Sequence, residues 1–358
     1  MSNHIKISII GVSKRFNKFY LPLLKNLLKK ENISIGYIYN RDFSKAKKVE
    51  QELGCGKAIK NFTDINLSLD KSIKDLGIVS LPSNINYKFN LELINLGFNL
   101  FIETPLAEKL WQVDIIKKKA NDKNLFIGIG EDYCFSPEIL LIKSYCNNKA
   151  IPKIIKNSGK SISYHAFALF TNLYKGKRFP KVKSYRNIII NSDDLNINTD
   201  IFTFSDKRKY ILESYNPHNY VARNIGELKL FFNDLILTES NYIFKNSKII
   251  TNTIYQEFLN NQAQYKSNLL KDWHCKVYHN FESDFPLEKS KTNGLYFNFI
   301  NFIRALQNNI KDDIPYNVEN AKFDLYLSKI QYLNRKLRLN NIFFINLIIY
   351  FLKFYKKI

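Results

Sequence analysis

Three short segments carry residue types that could bind a phosphorylated ligand or move a proton. Gly11-Val-Ser-Lys-Arg-Phe16 and Glu103-Thr104-Pro105 each follow an apolar run, and Tyr164-His165 lies at the edge of another. A turn that opens a helix presents backbone N–H groups to an anion. A tyrosine or histidine can transfer a proton. The chemistry suggested is therefore phosphate binding combined with acid–base catalysis.

The turn at residues 11–16 keeps only the first glycine of the dinucleotide-binding pattern G-x-G-x-x-G. Ser13 replaces the second glycine and offers a hydroxyl to a phosphate, while Lys14 and Arg15 add positive charge. Phe16 is bulky at the third position, where helix and strand usually approach closely. An ordinary strand-to-helix turn that has lost its ligand remains the alternative interpretation.

Strands and helices alternate through the first 130 residues. Apolar runs predict strands over 5–10, 33–39, 57–60, 76–82, 98–103 and 124–130. Helical spacing of apolar residues predicts helices over 20–30, 43–54, 86–97 and 107–123. This alternation predicts an α/β Rossmann domain, a doubly wound parallel sheet, over residues 1–130.

The pattern changes after Gly130, and residues 131–340 are predicted to form an α+β domain with a large, mostly antiparallel open sheet for substrate binding or oligomerisation. Long alternating segments predict strands over 183–191, 200–205, 209–215, 225–232 and 247–258. Helices are predicted over 137–148 and 295–309. Residues 341–358 are predicted to form an apolar, basic helix that either docks on the sheet, the favoured interpretation, or lies at a membrane surface.

Four segments resemble, in order, the Gfo/Idh/MocA family of NAD(P)-dependent oxidoreductases: 11–22, 39–54, 80–109 and 163–170. Ser13 and the ending Leu21-Pro22 are similar to a branch that has G-x-S followed by LP, some members of which reduce keto-sugars in nucleotide-sugar pathways. The resemblance implies hydride transfer between a nicotinamide and a carbonyl or hydroxyl group of a sugar-like, possibly nucleotide-linked, small molecule.

The same resemblance assigns the catalytic residues. Thr104 stands where the family has the lysine of Glu-Lys-Pro, which contacts the cofactor ribose and the substrate and supports proton transfer. A threonine can hydrogen-bond to either but supplies no ammonium group. His165 matches the family histidine that faces the nicotinamide, and Ser161 replaces its acidic partner. Tyr164 is the neighbouring alternative acid, so the predicted catalytic set is Thr104, Tyr164 and His165.

The end of the second strand bears on the choice of cofactor. An acidic residue there binds the ribose hydroxyls of NAD, whereas a neutral residue followed by arginine accommodates the 2′-phosphate of NADP. Asn40-Arg41 favours NADP(H) over NAD(H), although Asp42 could take the acidic role if the strand ended later. The predicted cofactor-binding residues are Gly11, Ser13, Lys14, Arg15, Asn40, Arg41, Pro82, Asn84, Glu103 and Thr104.

Composition bears on partners and compartment. The chain has 54 Lys+Arg against 32 Asp+Glu, a net charge of +22, but the lysines are scattered, so no nucleic-acid partner is expected. Four cysteines without disulfide or zinc spacing, and no secretory segment at the start, suggest a cytoplasmic protein. The histidines in 274–279 lack carboxylate companions, so no metal is predicted. A homo-oligomer through the second sheet is expected.

A second function remains open. Phe16, Thr104 and Ser161 all depart from the family pattern, and together they favour a catalytically degenerate relative with a regulatory or assembly role. A basic nucleic-acid- or membrane-binding protein is a third possibility, supported only by the net charge and by residues 341–358.

Overall fold

A computed structural model of the chain divides by its contacts into two units. The first comprises Met1–Asp132 and Leu295–Lys322, and the second Tyr133–Gly294 and Phe323–Lys357. The structure describes residues 4–70, 72–135, 139, 143, 152–158, 164–174, 179–191, 196–216, 227–232, 235–238, 242–245, 248–251, 290–337 and 341–354.

The apolar runs of the first unit form one parallel sheet. Its strands are β1 (Ile5–Ile10), β2 (Ile33–Tyr39), β3 (Lys57–Ile59), β4 (Lys74–Val79), β5 (Asn99–Glu103) and β6 (Ile127–Gly130). Their order, β3-β2-β1-β4-β5-β6, places the carboxyl ends of β1 and β4 side by side. This order is the doubly wound arrangement of dinucleotide-binding domains, and it confirms the predicted fold of this region.

Four helices connect these strands: α1 (Leu21–Lys30), α2 (Phe43–Leu53), α3 (Ser83–Leu96) and α4 (Leu110–Asp122). The chain is already helical from Lys14, ahead of the helix predicted over 20–30. Over Phe16–Tyr20 it forms a wider π-helical turn, in which the Leu21 N–H donates to the Phe16 carbonyl. Pro22 has no N–H to donate to the carbonyl four residues earlier, which accounts for an irregular turn at this point.

Residues from the far end of the sequence complete the first unit. Helix α6 (Ser290–Asn308) carries Phe299 and Phe302, whose rings pack against Phe101 of β5. A Cβ added to Gly128 of β6 would lie 2.4 Å from Phe302, so glycine is required for this close contact. Asn298 donates to the Ile129 and Glu131 carbonyls at 2.7 and 2.8 Å. The end of β6 is therefore fixed by α6.

The second unit is built on an eight-stranded sheet of order β14-β13-β12-β11-β7-β10-β9-β8. Only β7 and β10 pair in parallel, and the other neighbours are antiparallel, which confirms the predicted mostly antiparallel sheet. The strands are β7 (Ile154–Ser158), β8 (Val182–Asn191), β9 (Asn196–Phe204), β10 (Lys209–Asn216), β11 (Glu227–Phe231), β12 (Leu235–Thr238), β13 (Tyr242–Lys245) and β14 (Lys248–Thr251).

The second unit also contains helices α5 (Tyr164–Leu173) and α8 (Ile342–Phe354) and, from Phe323 onward, α7 (Val318–Leu337). A fully buried carboxylate, Asp200 of β9, joins the sheet to α7. Its two oxygens accept hydrogen bonds from Tyr185, Asn187 at 2.8 Å, Gln331 at 2.5 Å and Arg335 at 2.6 Å. Burial, followed by the charge of Asp200, raises the pKa of Tyr185 above its usual value, so this phenol remains a donor.

Several sequence predictions lie wholly or mostly outside the described residues. These are the helix over 137–148, Ser161, the histidines at 218, 274 and 279, and residues 252–258 of the last predicted strand. Within the described part of the chain, no helix is both long enough and apolar enough to span a membrane.

Candidate functional site

The turn after β1 packs closely against the residue that follows β4. Gly11 has φ +93°, its N–H donates to the Tyr39 carbonyl at 2.8 Å, and an added Cβ would lie 2.5 Å from the Ser80 carbonyl oxygen. Both the backbone conformation and the close approach therefore require glycine. The first glycine of the fingerprint is therefore needed for the shape of the turn itself.

Ser13 organises the start of the helix that follows. Its Oγ accepts the Phe16 N–H at 3.0 Å and lies 2.8 Å from the Oγ of Ser80. A helix leaves its first N–H groups without intrahelical partners, and the positive end of its dipole lies there. With Lys14 exposed beside it, the turn has the elements of an anion site.

Phe16 does not project into the solvent beside this turn. Its ring is fully buried and stacks on Tyr20, with the centroids 6.0 Å apart and the planes 6° apart. The bulk that departs from the fingerprint is therefore accommodated in the core of the unit. The solvent side of the turn, where a pyrophosphate would approach the main chain, is not occupied by this side chain.

The loop after β2 is held by Asn40. Its Oδ1 accepts the Val12 N–H at 3.0 Å, and its Nδ2 donates to the Asp42 carbonyl at 3.0 Å. Asp42 caps α2 and accepts from the N–H and hydroxyl of Ser44, and these hydrogen bonds lower its pKa. Arg41 is exposed and has no carboxylate within ion-pair distance among the described residues.

Glu103 is the centre of a charged cluster where β5 ends. Its Oε1 lies 2.8 Å from Arg15 Nε and accepts the N–H and hydroxyl of Thr104 at 3.1 and 3.2 Å. Its Oε2 accepts the Tyr20 hydroxyl at 2.7 Å. Arg15 also pairs with Asp132 at 3.0 Å. The predicted residues Arg15, Glu103 and Thr104 are thus brought together.

The electrostatics of this cluster follow from its burial. Burial lowers the pKa of Arg15, but the charges of Glu103 and Asp132 outweigh it and raise the net value. Burial and then Glu103 raise the pKa of Tyr20 well above its usual value. The guanidinium therefore stays charged and the phenol stays protonated. The charge of Arg15 is shared with two carboxylates and is not available in full to a phosphate.

The loops after β4 and β5 are joined to one another. Asn86, fully buried in α3, donates to the Pro105 carbonyl at 3.3 Å, and its own N–H donates to the Pro82 carbonyl at 3.0 Å. The Thr104–Pro105 peptide is cis. Pro82 and Asn84 are exposed at the start of α3, so their surfaces are open to a ligand.

The remaining predicted pair belongs to the second unit. Tyr164 is the first residue of α5, and His165, next along, is half-buried. The fully buried run from Ala166 to Phe170 anchors the helix, and the hydroxyl of Tyr210 donates to the Ala166 carbonyl. Burial raises the pKa of Tyr210 above its usual value. The structure thus fixes the beginning of α5 while leaving His165 partly exposed.

Four residues of this site were missed by sequence reasoning: Tyr20, Ser80, Asp132 and Asn298. Ser80 directly follows β4, and Asp132 follows β6 by two residues. The rule that ligands bind at the carboxyl ends of parallel strands could have pointed to both. In the sequence, Tyr20 is one more apolar position of a predicted helix, and nothing local marks Asn298, which acts through a contact with residues far away in sequence.

Comparison with known proteins bears on the family of the first unit. Residues 5–131 match the family model described as an oxidoreductase family with an NAD-binding Rossmann fold. A comparison with curated proteins finds no match.

Solved structures share this fold over about nine-tenths of the chain. A dehydrogenase from Chromobacterium violaceum superposes with a TM-score of 0.64 at 14% identity, covering 91% of this chain and 93% of that one. UDP-N-acetylglucosamine 3-dehydrogenase GnnA from Acidithiobacillus ferrooxidans has a TM-score of 0.61 at 12% identity, and the superposition covers 91% of this chain and 95% of that one. Apo scyllo-inositol dehydrogenase from Lactobacillus casei has a TM-score of 0.63 at 12% identity, and the superposition covers 92% of this chain and 95% of that one. Residues 5–131 therefore match the Gfo/Idh/MocA oxidoreductase family with its NAD-binding Rossmann fold, and the solved structures share the two-unit fold.

Proposed function

We propose that this protein is an NADP(H)-dependent oxidoreductase acting on a carbonyl or hydroxyl group of a sugar-like, nucleotide-linked substrate. The observation that carries the cofactor preference is the loop after β2. Asn40 is neutral and occupied by two backbone partners, Asp42 is committed to capping α2, and Arg41 is exposed. A cation at the ribose position, beside a carboxylate that is already engaged in capping a helix, favours a 2′-phosphate.

The first unit has the residues to hold the dinucleotide. Gly11 allows the tight turn, the helix start beyond Ser13 would receive the pyrophosphate, and Arg41 would receive the 2′-phosphate. Pro82, Asn84, Glu103 and Thr104 are assigned to the nicotinamide half by the resemblance. The buried position of Phe16 supports this assignment, because the side chain leaves the solvent side of the turn open.

A bound nicotinamide would supply or accept the hydride. The residues of this chain would orient the substrate and move the proton. The Thr104 hydroxyl, oriented by its hydrogen bond to Glu103, would donate to or accept from a ribose or substrate oxygen. Proton transfer is assigned to Tyr164 or His165, since a threonine hydroxyl is too weak an acid near neutral pH.

The substrate class is supported by two features. GnnA and the scyllo-inositol dehydrogenase, which share this fold, are named for substrates with polyhydroxylated rings. The net charge of +22 favours an anionic substrate, such as a sugar carried on a nucleoside diphosphate. We also propose that copies of the chain associate through the sheet of the second unit.

A catalytically degenerate relative is the second candidate, and the Glu103 cluster favours it. The family lysine is absent, and the nearby cation, Arg15, is held by Glu103 and Asp132. A protein with this arrangement could bind a dinucleotide without turning over and serve in regulation or assembly.

Titration with NADPH and NADH, followed by nicotinamide fluorescence, separates the two candidates and tests the cofactor preference. Arg41→Ala should weaken NADPH binding by about tenfold or more, because a charge-assisted bond to phosphate contributes roughly 1.5–3 kcal/mol. NADH binding should stay within twofold. Lys48→Ala, which removes another exposed cation, on α2, is the matched control and should change the affinity for neither cofactor.

Equal losses for both cofactors in Arg41→Ala would show that Arg41 is not the selector. Absence of binding of either cofactor to the unaltered protein would exclude the enzyme. Tight NADPH binding with no turnover of any sugar nucleotide would favour the degenerate relative.

A further inference from the structure

Helix α8 has a docked face and an open face. Ile345 is fully buried and Ile349 nearly so, and α8 contacts β8 in the same unit. Asn346 Oδ1 accepts the Tyr326 hydroxyl of α7 at 2.6 Å. Burial raises the pKa of Tyr326 to about 12, so this hydrogen bond persists at neutral pH. The helix is therefore fixed on the unit by one side.

The opposite side of α8 is apolar and exposed to solvent. Phe343 and Tyr350 are each 65% exposed, Phe344 is 51% and Leu347 is 38% exposed. Phe343, Leu347 and Tyr350 recur at i, i+4 and i+7, which places them in one stripe along the helix. On β8, the strand that α8 contacts, Ile188, Ile189 and Ile190 are exposed as well. Exposed apolar groups concentrated in this way mark an interaction site.

The sequence around this face has a single sign of charge. Residues 325–358 contain no Asp or Glu, whereas the average of 32 in 358 would give a segment of this length about three. Basic residues occupy seven positions of the same segment: Lys329, Arg335, Lys336, Arg338, Lys353, Lys356 and Lys357. An apolar, aromatic face in a basic segment complements a surface that has an anionic outer layer over an apolar interior.

We propose that the exposed face of α8, formed by Phe343, Phe344, Leu347 and Tyr350, binds the surface of an anionic lipid membrane. Aromatic side chains are favoured at the boundary between headgroups and acyl chains. Lysines and arginines near that surface gain from anionic lipids. The 13 residues of α8 span about 20 Å, less than the roughly 30 Å of a bilayer core, so the helix lies in the interface.

A second copy of the chain fits this face less well. A two-fold contact places the same patch of both copies against itself. Two segments with seven basic residues and no acidic residue would then face each other, which like-charge repulsion opposes. An anionic lipid surface would instead attract the same basic residues.

The test is co-flotation of the purified full chain with two kinds of vesicle, phosphatidylcholine alone and an equal mixture of phosphatidylcholine and phosphatidylglycerol. We expect binding to the mixed vesicles that weakens as salt is raised, and little binding to the neutral ones. The double variant F343S/Y350S should lose about tenfold or more of this affinity. Leu69→Ser, which alters a fully exposed leucine in the first unit, should bind as the unaltered protein does.

Circular dichroism should show the double variant to be folded, because both side chains are largely exposed. If the unaltered chain bound neither kind of vesicle, or if the double variant bound the mixed vesicles equally well, the proposal would be overturned. It would also be overturned by an oligomer, measured by sedimentation velocity, that the double variant dissociates, because a second copy would then cover the face. Capture of RNA that the double variant abolishes, without vesicle binding, would overturn it in favour of a nucleic-acid partner.

Discussion

Arg15 Nε lies 2.8 Å from Glu103 Oε1, so a cation from the first helical turn neutralises the carboxylate that ends the fifth strand. The same oxygen accepts both the N–H and the hydroxyl of Thr104. The orientation of Thr104 therefore depends on a residue 89 positions earlier in the chain. This relationship places a positive charge beside the position where the family lysine would stand.

Replacing Arg15 should destabilise the first unit. Arg15→Met leaves Glu103, whose side chain is 8% exposed, without its cation, and breaking such a buried pair costs several kcal/mol. Because the arginine is itself 31% exposed, we expect a smaller loss, about 1–3 kcal/mol in the free energy of unfolding. Urea denaturation followed by circular dichroism measures it.

Lys25→Met is the control, since its ion pair with Glu52 joins two exposed side chains and should contribute little. The double variant R15M/E103Q should recover part of the loss. A double variant less stable than R15M alone would contradict the assignment of the cost to an uncompensated carboxylate.

Gly11→Ala should abolish dinucleotide binding and lower stability. The new Cβ would meet the Ser80 carbonyl at 2.5 Å in a backbone conformation of positive φ, so the turn would have to move. Gly54→Ala has the same type of backbone strain at φ +67° but open space around the Cβ, and should cost only about 1–2 kcal/mol. Nicotinamide fluorescence and urea denaturation of both variants give the comparison. Normal NADPH binding by Gly11→Ala would remove this turn from the site.

Substitutions at the start of α5 test the assigned acids. Tyr164→Phe or His165→Ala should lower turnover roughly a hundredfold or more if the residue transfers the proton. Tyr174→Phe, one residue beyond the other end of the helix, is the matched control and should keep full activity. Thr104→Lys restores the cation of the family pattern and should keep or raise turnover. Unchanged activity in both α5 variants would refute the assignment of the acid.

Asp200→Asn should destabilise the second unit. The new amide nitrogen would face donors, and Arg335 and Tyr185 would lose a charged acceptor at a fully buried position. Breaking a buried charged network of this kind costs about 3–5 kcal/mol. Asp122→Asn, the same change at an exposed position in α4, should have little effect. A loss in urea denaturation no larger than that of Asp122→Asn would show that the network contributes no net stability.

The alternation of apolar runs and helical spacing predicted the first sheet well. The bounds of β1 and β2 coincide with the predicted runs, because a flexible residue, Gly11, follows the first run and a polar residue, Asn40, follows the second. Helix starts were less accurate, since α3 begins at Ser83 and α4 at Leu110, each three residues from its prediction. In α4, the Gln112 side chain accepts the Lys109 N–H at 3.0 Å and sets the start, a contact that periodicity does not register.

The candidate site was predictable only where residues act through the local chain. Gly11, Ser13 and Asn40-Arg41 follow strands directly, so their place at the sheet edge could be read from the sequence. The contacts within the Glu103 cluster could not, because Arg15 and Tyr20 follow β1 whereas Asp132 follows β6, far away in sequence. The exposed stripe of α8 was also hidden, since an apolar helix looks the same in sequence whether one face or all of it is covered.

The return of Leu295–Lys322 to the first unit has a consequence for biosynthesis. Phe299 and Phe302 cover Phe101, and the Tyr316 carbonyl accepts the Ile129 N–H at 2.9 Å, so β5 and β6 are completed by residues that are translated long after these strands. A nascent chain halted after Asp132 would expose the aromatic side of this sheet to water and to chaperones. The first unit, although strands β1–β6 precede the second unit in the sequence, can complete its core only after the strands of the second unit have left the ribosome.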